Sequence, residues 1–109
     1  MTIKPLQPSA REKKRYIAFG VIGQCSKDGL IKAMQGALLD FLGQLGLAEA
    51  GAFIMPETYK NGQIVMRTGH RYVNEAKAAM SLITEIDSQE VIIYTKGISG
   101  LIHKAKAGG

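Results

Sequence analysis

The chain has 109 residues, of which 46% are hydrophobic, and a formal charge of +5. This length suits one compact domain with a single core and is too short for two. No apolar run approaches the roughly 20 residues that cross a bilayer, and the start lacks the apolar stretch of a secretory signal, so we expect a cytoplasmic protein. Its single cysteine, Cys25, excludes an internal disulfide, and His70 and His103 do not have the spacing of zinc ligands.

The positive charge is concentrated at the two ends of the chain. Residues 1–15 sum to +4 and residues 96–109 to +3, whereas residues 16–95 sum to −2. Clustered cations release more counterions on meeting phosphate than scattered ones do. The pattern therefore indicates either a phosphate-binding patch or two solvated tails.

The chain begins with a region that has no apolar periodicity. Residues 1–14 contain Pro5 and Pro8 and read as a basic N-terminal arm, followed by a single α/β domain over residues 15–109. Residues 15–23 are rich in β-branched and aromatic side chains and predict the first strand.

A long amphipathic helix is predicted next. Ser26 is a candidate N-cap, and apolar residues recur at helical spacing up to Leu45, with Gly43 or Gly46 as the stop. Gly36 falls in mid-helix, where glycine costs about 1 kcal/mol relative to alanine. We expect it to allow a close approach of the helix to the sheet.

The second half of the chain predicts two more strands, a helix and a final strand. The strands lie over residues 48–57 and 63–68 around an Asn-Gly turn, the helix over about 70–85 and the last strand over 90–95. The order βαββαβ is typical of an α+β ferredoxin-like (RRM-like) sandwich, with a four-stranded antiparallel sheet, two helices on one face and here a C-terminal tail.

This topology brings the two basic segments together. The start of the first strand, beside Lys13, Lys14 and Arg15, meets the end of the fourth, beside Lys96. The predicted convergence favours a phosphate-binding patch over solvated tails.

Both faces of the predicted sheet are apolar, so the second face needs a cover. The alternatives are the tail from Ile98 to Ile102, a second copy of the chain or a partner protein, and we prefer the partner. The residues assigned to a partner interface are Tyr16, Phe19, Tyr94 and Ile98.

No catalytic pair or metal site is evident. The nine carboxylates are scattered, and Cys25 with His103 lacks any nucleophile signature. Residues 97–100 could form a plain turn or a nest of N–H groups for a phosphate. An RNA recognition motif needs aromatic residues on its third strand, but residues 63–67 contain none, so we expect the cations to contact the RNA backbone rather than stacked bases.

Both ends of the chain resemble one known family. Arg11-Glu12-Lys13-Lys14-Arg15-Tyr16-Ile17-Ala18-Phe19 is similar to the opening of the archaeal ribonuclease P protein component two, which belongs to a family shared with eukaryotes. Residues 94–104 resemble its last strand and the Gly-Val-Ser-Gly-Thr-Ile-Lys-Arg segment that follows. Residues 38–46 and 67–82 fit its two helices. The tail departs from the pattern, being less basic after His103 and having Leu101 where threonine is common.

The resemblance implies a non-catalytic subunit of the particle that removes the 5′ leader of precursor tRNA. The catalytic RNA and its Mg²⁺ ions would perform the hydrolysis, so this chain would bind no cofactor of its own. The expected partners are ribonuclease P RNA, precursor tRNA and the TIM-barrel protein component three. A homodimer is possible in isolation or within a heterotetramer.

The expected role is neutralisation of RNA phosphates. The residues assigned to it are Lys13, Lys14, Arg15 and Lys96, followed by Arg11, Arg67, Arg71 and Lys104. The alternative is a dimeric ferredoxin-like regulatory module that binds a small metabolite. A third interpretation, an adaptor that touches protein only, leaves the clustered cations unexplained.

Overall fold

The fold is given by a computed structural model that describes residues 13–100. The elements follow one another in the order strand, helix, two strands, helix, a two-stranded hairpin and a last strand. They are β1 (Lys14–Ile22), α1 (Lys27–Ala50), β2 (Phe53–Lys60), β3 (Gln63–Gly69), a 3-10 turn (His70–Tyr72), α2 (Val73–Ser81), β4 (Glu85–Ile86), β5 (Gln89–Glu90) and β6 (Ile92–Ser99).

The main sheet has four antiparallel strands in the order β2-β3-β1-β6. This order, with two helices, confirms the predicted α+β ferredoxin-like architecture. The short hairpin of β4 and β5 is an addition between α2 and β6 that the sequence did not predict.

The hydrophobic core lies between the helices and one face of the sheet. Because side chains alternate along a strand, one set from β1 and β3 points to the helices and the other points away. The first set meets α1 and α2 in a cluster that includes Ile17, Phe19, Met34, Met66 and Met80, all at most 1% exposed. We call the opposite side of the sheet the outer face.

Helix α1 begins where the sequence predicted and ends later. The Gly29 N–H donates to the Ser26 hydroxyl at 2.9 Å, which confirms the N-cap. At Gly43 the backbone leaves helical geometry with φ 75° and ψ 170°, but the helix resumes and continues to Ala50, where Gly51 terminates it in the left-handed region. The predicted stop was wrong because Gly43 kinks the helix without ending it, and β2 consequently starts at Phe53.

The prediction for Gly36 was also wrong. Gly36 is exposed, and a Cβ added there would meet no atom within 4 Å. The residue lines an open recess between α1 and residues 82–85, so close packing does not explain it.

The region after α2 differs most from the sequence prediction. The predicted helix over 70–85 is a 3-10 turn followed by the nine residues of α2. Asp87 and Ser88, with φ 55° and 63°, form the two-residue turn between β4 and β5. The Asp87 carboxylate accepts hydrogen bonds from the Ser26 N–H and hydroxyl, both at 3.0 Å, and so joins this hairpin to the start of α1.

Candidate nucleic-acid interface

Four of the six described cations that were predicted to bind RNA lie where β1 begins and β3 ends. The antiparallel register places the start of β1 beside the ends of β3 and β6, with Lys14 opposite Gly69 and Tyr16 between Arg67 and Ser99. We call the set that lies here the cationic edge; its members are Lys13, Lys14, Arg15 and Arg67.

The first three cations are held by the backbone of β1 and its neighbours. The Lys13 carbonyl accepts a hydrogen bond from the His70 N–H at 2.9 Å, which fixes the entry into β1 against the end of β3. The Arg15 guanidinium donates to the Lys14 carbonyl at 3.1 Å. Arg71 follows His70 in the 3-10 turn and is exposed, close in sequence to the same end of β3.

Lys96 lies at an irregularity in β6. Ala18 is opposite Gly97 and Phe19 is opposite Thr95, so Lys96 is the extra residue of a bulge. Lys96 therefore lies beside Ala18 and Phe19 of β1. These residues are about four positions from Lys14, which is roughly 13 Å at the rise of a strand. The start of β1 meets the end of β6 as predicted, but that end is Ser99, and Lys96 lies beside the middle of β1 rather than beside Lys13–Arg15.

The paired part of the sheet carries no negative charge. Among the residues in register in β1, β2, β3 and β6 there is no aspartate or glutamate, whereas Lys14, Arg15, Lys60 and Arg67 are present. Carboxylates lie at Glu57, in the part of β2 without a registered partner, and in the β4–β5 hairpin, with Glu85, Asp87 and Glu90. Within residues 13–100 no member of the cationic edge has a carboxylate partner.

Arg67 lies on the outer face and contacts an aromatic ring. Its guanidinium carbon is 5.6 Å from the centre of the Phe53 ring, a cation–π geometry. The register places Arg67 between Phe53 and Tyr16, on three neighbouring strands. The Nε atom is shielded from solvent and has no hydrogen-bond partner.

The other end of the outer face is apolar. Ile22 and Ile92 face each other across β1 and β6 and are 58% and 60% exposed. Tyr94 lies over Gly20, where a Cβ would fall 2.4 Å from the tyrosine ring. We call Ile22, Ile92 and Tyr94 the apolar end; beside it a shallow recess of about 400 Å³ is lined partly by Glu90.

The four residues assigned to a partner interface have different locations. Tyr16 and Tyr94 lie on the outer face, at the cationic and apolar ends respectively, and Ile98 is exposed in β6 opposite Ile17. Phe19 is only 1% exposed in the core. Its assignment is corrected because alternation along β1 turns it toward the helices. Of the tail proposed as a cover, residues 98–99 extend β6, and residues 101–102 lie outside the described residues.

Two of the assigned cations, Arg11 and Lys104, also lie outside the described residues, as do most of the proposed basic arm and His103. For Cys25, burial and then the nearby Asp87 charge raise the pKa of the thiol, which disfavours a nucleophilic thiolate. Within residues 13–100 no three His, Cys, Asp or Glu side chains are grouped to hold a metal ion. No helix in that range is long and apolar enough to span a membrane.

Sequence reasoning missed the position of Phe53 beside Arg67. The predicted second strand began too early, so no face was assigned to its residues. The signal was the alternation of Phe53, Ile54 and Met55, in which Ile54 is buried and Phe53 is half exposed. The hairpin carrying Asp87 was missed because its strands have two residues each.

Comparisons with known proteins identify relatives of this chain. A family model described as the Rpp14/Pop5 family matches residues 15–108. Ribonuclease P protein component 2 of Thermococcus kodakarensis is 39% identical over 105 residues, covering 94% of this chain and 88% of that protein. The corresponding protein of Pyrococcus furiosus is 36% identical over 107 residues, with coverage of 94% and 88%.

A solved structure shares the fold. A chain in the cryo-EM structure of yeast ribonuclease MRP superposes with a TM-score of 0.55 at 11% identity, covering 82% of this chain and 75% of that one. At this identity the likeness concerns the fold alone. The match over residues 15–108, together with these relatives, shows that the chain belongs to the Rpp14/Pop5 family of ribonuclease P protein subunits.

Proposed function

We propose that this ribonuclease P subunit supports the catalytic RNA during endonucleolytic removal of the 5′ leader from precursor tRNA. The observation that carries the proposal is the cationic edge, where Lys13, Lys14, Arg15 and Arg67 lie together at the start of β1 and the end of β3 without a carboxylate partner among residues 13–100. Such an edge attracts phosphates because its cations are not neutralised by carboxylate partners.

The role of the protein is electrostatic. Lys13, Lys14, Arg15 and Lys96 neutralise phosphates that would otherwise repel one another, so that the RNA core stays compact and the precursor docks correctly. Arg67 and Arg71 add to this set from the end of β3, and Arg11 and Lys104 from the two ends of the chain. The bond-breaking chemistry belongs to the RNA and the Mg²⁺ ions it holds, and the chain itself binds no cofactor.

The apolar end of the outer face is the surface for a protein partner. Ile22 and Ile92 are more than half exposed, and neighbouring exposed apolar side chains mark interaction sites more often than solvated surface. The TIM-barrel component three is the partner that fits the family resemblance. A second copy of this chain is the other candidate, as a homodimer in isolation or within a heterotetramer.

Single-turnover cleavage of a precursor tRNA tests the role in ribonuclease P. The cognate RNA and its component-three partner are assayed at low magnesium with and without this chain. A large increase in rate with the chain supports the proposal. An unchanged rate, with the partner shown to be active, contradicts it.

A matched pair of variants connects the rate to the cationic edge. Lys13→Ala with Lys14→Ala removes two charges from the edge, and Lys27→Ala with Lys32→Ala removes two exposed charges from the start of α1. We expect the first pair to lower the cleavage rate and the second to leave it nearly unchanged. Equal losses from both pairs would show that only total charge matters.

The alternative function, a dimeric regulatory module, predicts the opposite response to RNA. Such a module would gain melting temperature with a small metabolite and would be indifferent to RNA. The family membership supports the ribonuclease P role instead.

A further inference from the structure

A row of three side chains crosses the outer face within the cationic edge. Phe53 of β2 is opposite Arg67 of β3, which is in turn opposite Tyr16 of β1. Side chains at paired positions of antiparallel strands lie on the same face as near neighbours. The row therefore places a guanidinium between two aromatic residues.

Arg67 is oriented without being neutralised. Its guanidinium carbon lies 5.6 Å from the centre of the Phe53 ring, and within residues 13–100 it has neither a hydrogen bond nor an ion pair. Contact with the ring restricts the plane of the guanidinium, while its terminal N–H groups lack an acceptor. A planar, pre-oriented guanidinium of this kind suits a phosphate, which it can bind through two N–H groups.

Phe53 is accessible to a ligand. Its side chain is 50% exposed on the edge strand β2, although an aromatic residue of this size is usually buried when packing is its only role. An exposed ring beside a phosphate-binding cation is the combination by which proteins hold unpaired nucleotides, because every base has a flat face that stacks on the ring. The bases of a duplex are already stacked on one another.

The surrounding charge favours RNA over a protein at this end of the face. Lys14 precedes Tyr16 by two residues on the same face of β1, and no paired position of the sheet holds a carboxylate. The row next to this one is small and apolar, with Ala18 and Val65 buried, so it separates the cationic edge from the apolar end.

We propose that Phe53, Arg67 and Tyr16 form a binding site for one unpaired nucleotide of an RNA strand, with its base stacked on Phe53 and its phosphate held by Arg67. Tyr16 borders the guanidinium on its other side. The site rests on the proposed RNA-binding function and adds base stacking to it. It differs from an RNA recognition motif because the aromatic residues lie on β1 and β2, on either side of a cation on β3.

Fluorescence gives a direct test because the chain contains no tryptophan. Phe53→Trp introduces a single reporter at the proposed site. Phe41→Trp is the matched control, since Phe41 on α1 is 44% exposed and distant in the fold from the outer face. Each full-length variant is titrated with an oligouridylate of about twelve nucleotides and with an RNA duplex of similar length. The RNA carries a label so that anisotropy reports binding independently.

We expect oligouridylate to quench the Phe53→Trp emission and to leave that of Phe41→Trp unchanged, with the duplex quenching neither. In the chain without an introduced tryptophan, Phe53→Leu should weaken oligouridylate binding about five- to hundredfold, the range for loss of one stacked base. Arg67→Lys, which keeps the charge and loses the planar group, should also weaken it. Both variants should keep the wild-type melting temperature within a few degrees.

Other outcomes overturn the proposal in distinguishable ways. Binding by anisotropy without quenching at position 53 would refute the nucleotide site and leave the electrostatic function intact. The same variants are also titrated with the component-three protein. If that protein quenches the Phe53→Trp emission and RNA does not, this end of the face is a protein-docking surface. An absence of RNA binding by the wild-type chain would refute both proposals.

Discussion

Gly20 and Tyr94 show how a single missing side chain shapes the outer face. A Cβ at Gly20 would lie 2.4 Å from Cζ of Tyr94 and 2.6 Å from its hydroxyl oxygen, so the ring occupies space that any other residue would fill. Gly20 is central in β1, paired with Gln63 on one side and Tyr94 on the other. Glycine weakens a strand interior, and here the ring contact accounts for its presence.

Gly20→Ala should therefore destabilise the domain by about 1 kcal/mol, because the ring of Tyr94 must swing into solvent. Urea denaturation of the two single variants and the double variant, Gly20→Ala with Tyr94→Ala, measures the coupling. In the Tyr94→Ala background the same substitution should become neutral or stabilising. An equal cost in both backgrounds would show that the ring is not responsible.

Gly36 permits the opposite change. Since a Cβ there meets nothing within 4 Å, Gly36→Ala should stabilise the protein by about 0.5 to 1 kcal/mol through helix propensity alone. Thermal or urea denaturation measures this, and Gly43→Ala is the control. Gly43 has φ 75°, so alanine there should destabilise. A loss of stability from Gly36→Ala would contradict the open position of this residue.

At the scale of elements, the β4–β5 hairpin is connected to α1 by one carboxylate. Asp87 accepts two hydrogen bonds from Ser26, and Ser26 in turn caps the helix through Gly29. These hydrogen bonds from the Ser26 backbone and then its side chain hold the pKa of Asp87 below its usual range. A carboxyl with a lowered pKa stabilises the fold while it is ionised.

Stability should therefore depend on the ionisation of Asp87. Its contribution is fully present above the unfolded pKa of about 3.9 and is lost as the pH falls through the lower pKa of the folded state. We expect the melting temperature of wild type to exceed that of Asp87→Asn by a constant amount above about pH 5. The difference should shrink on acidification, and a difference independent of pH down to complete protonation would contradict this link.

The elements that could be predicted were those with a long, regular pattern. The strand run around Ile17 and Phe19, the Ser26 cap and the Asn61-Gly62 turn each follow from local chemistry. The kink at Gly43 could not be predicted, because a glycine in an amphipathic helix is compatible with a stop, a kink or no change. The turn at Asp87 and Ser88 uses left-handed residues that are not glycine, a choice decided by the contact with Ser26.

At the scale of the whole molecule, charge is separated along the strands. The cationic edge lies where β1 begins and β3 and β6 end, and the acidic hairpin lies next to the start of β6 and the start of α1. The meeting of the start of β1 with the end of β6 follows from topology and was predictable, whereas the position of Lys96 beside the middle of β1 was not, because β6 extends further than the sequence predicted. The row of Phe53, Arg67 and Tyr16 was not, because it depends on the register of three strands and on where β2 begins.

The most direct test of the cationic edge is the salt dependence of RNA binding. It is measured for the wild-type protein and for the double variant Lys13→Ala, Lys14→Ala. If about four phosphates are contacted, the logarithm of the association constant should fall against the logarithm of salt concentration with a slope of roughly −3 to −4. The double variant should have a slope shallower by about 1 to 2, while Lys27→Ala with Lys32→Ala should keep that of wild type. A flat response of the wild type, or the same slope in all three proteins, would contradict phosphate binding at this edge.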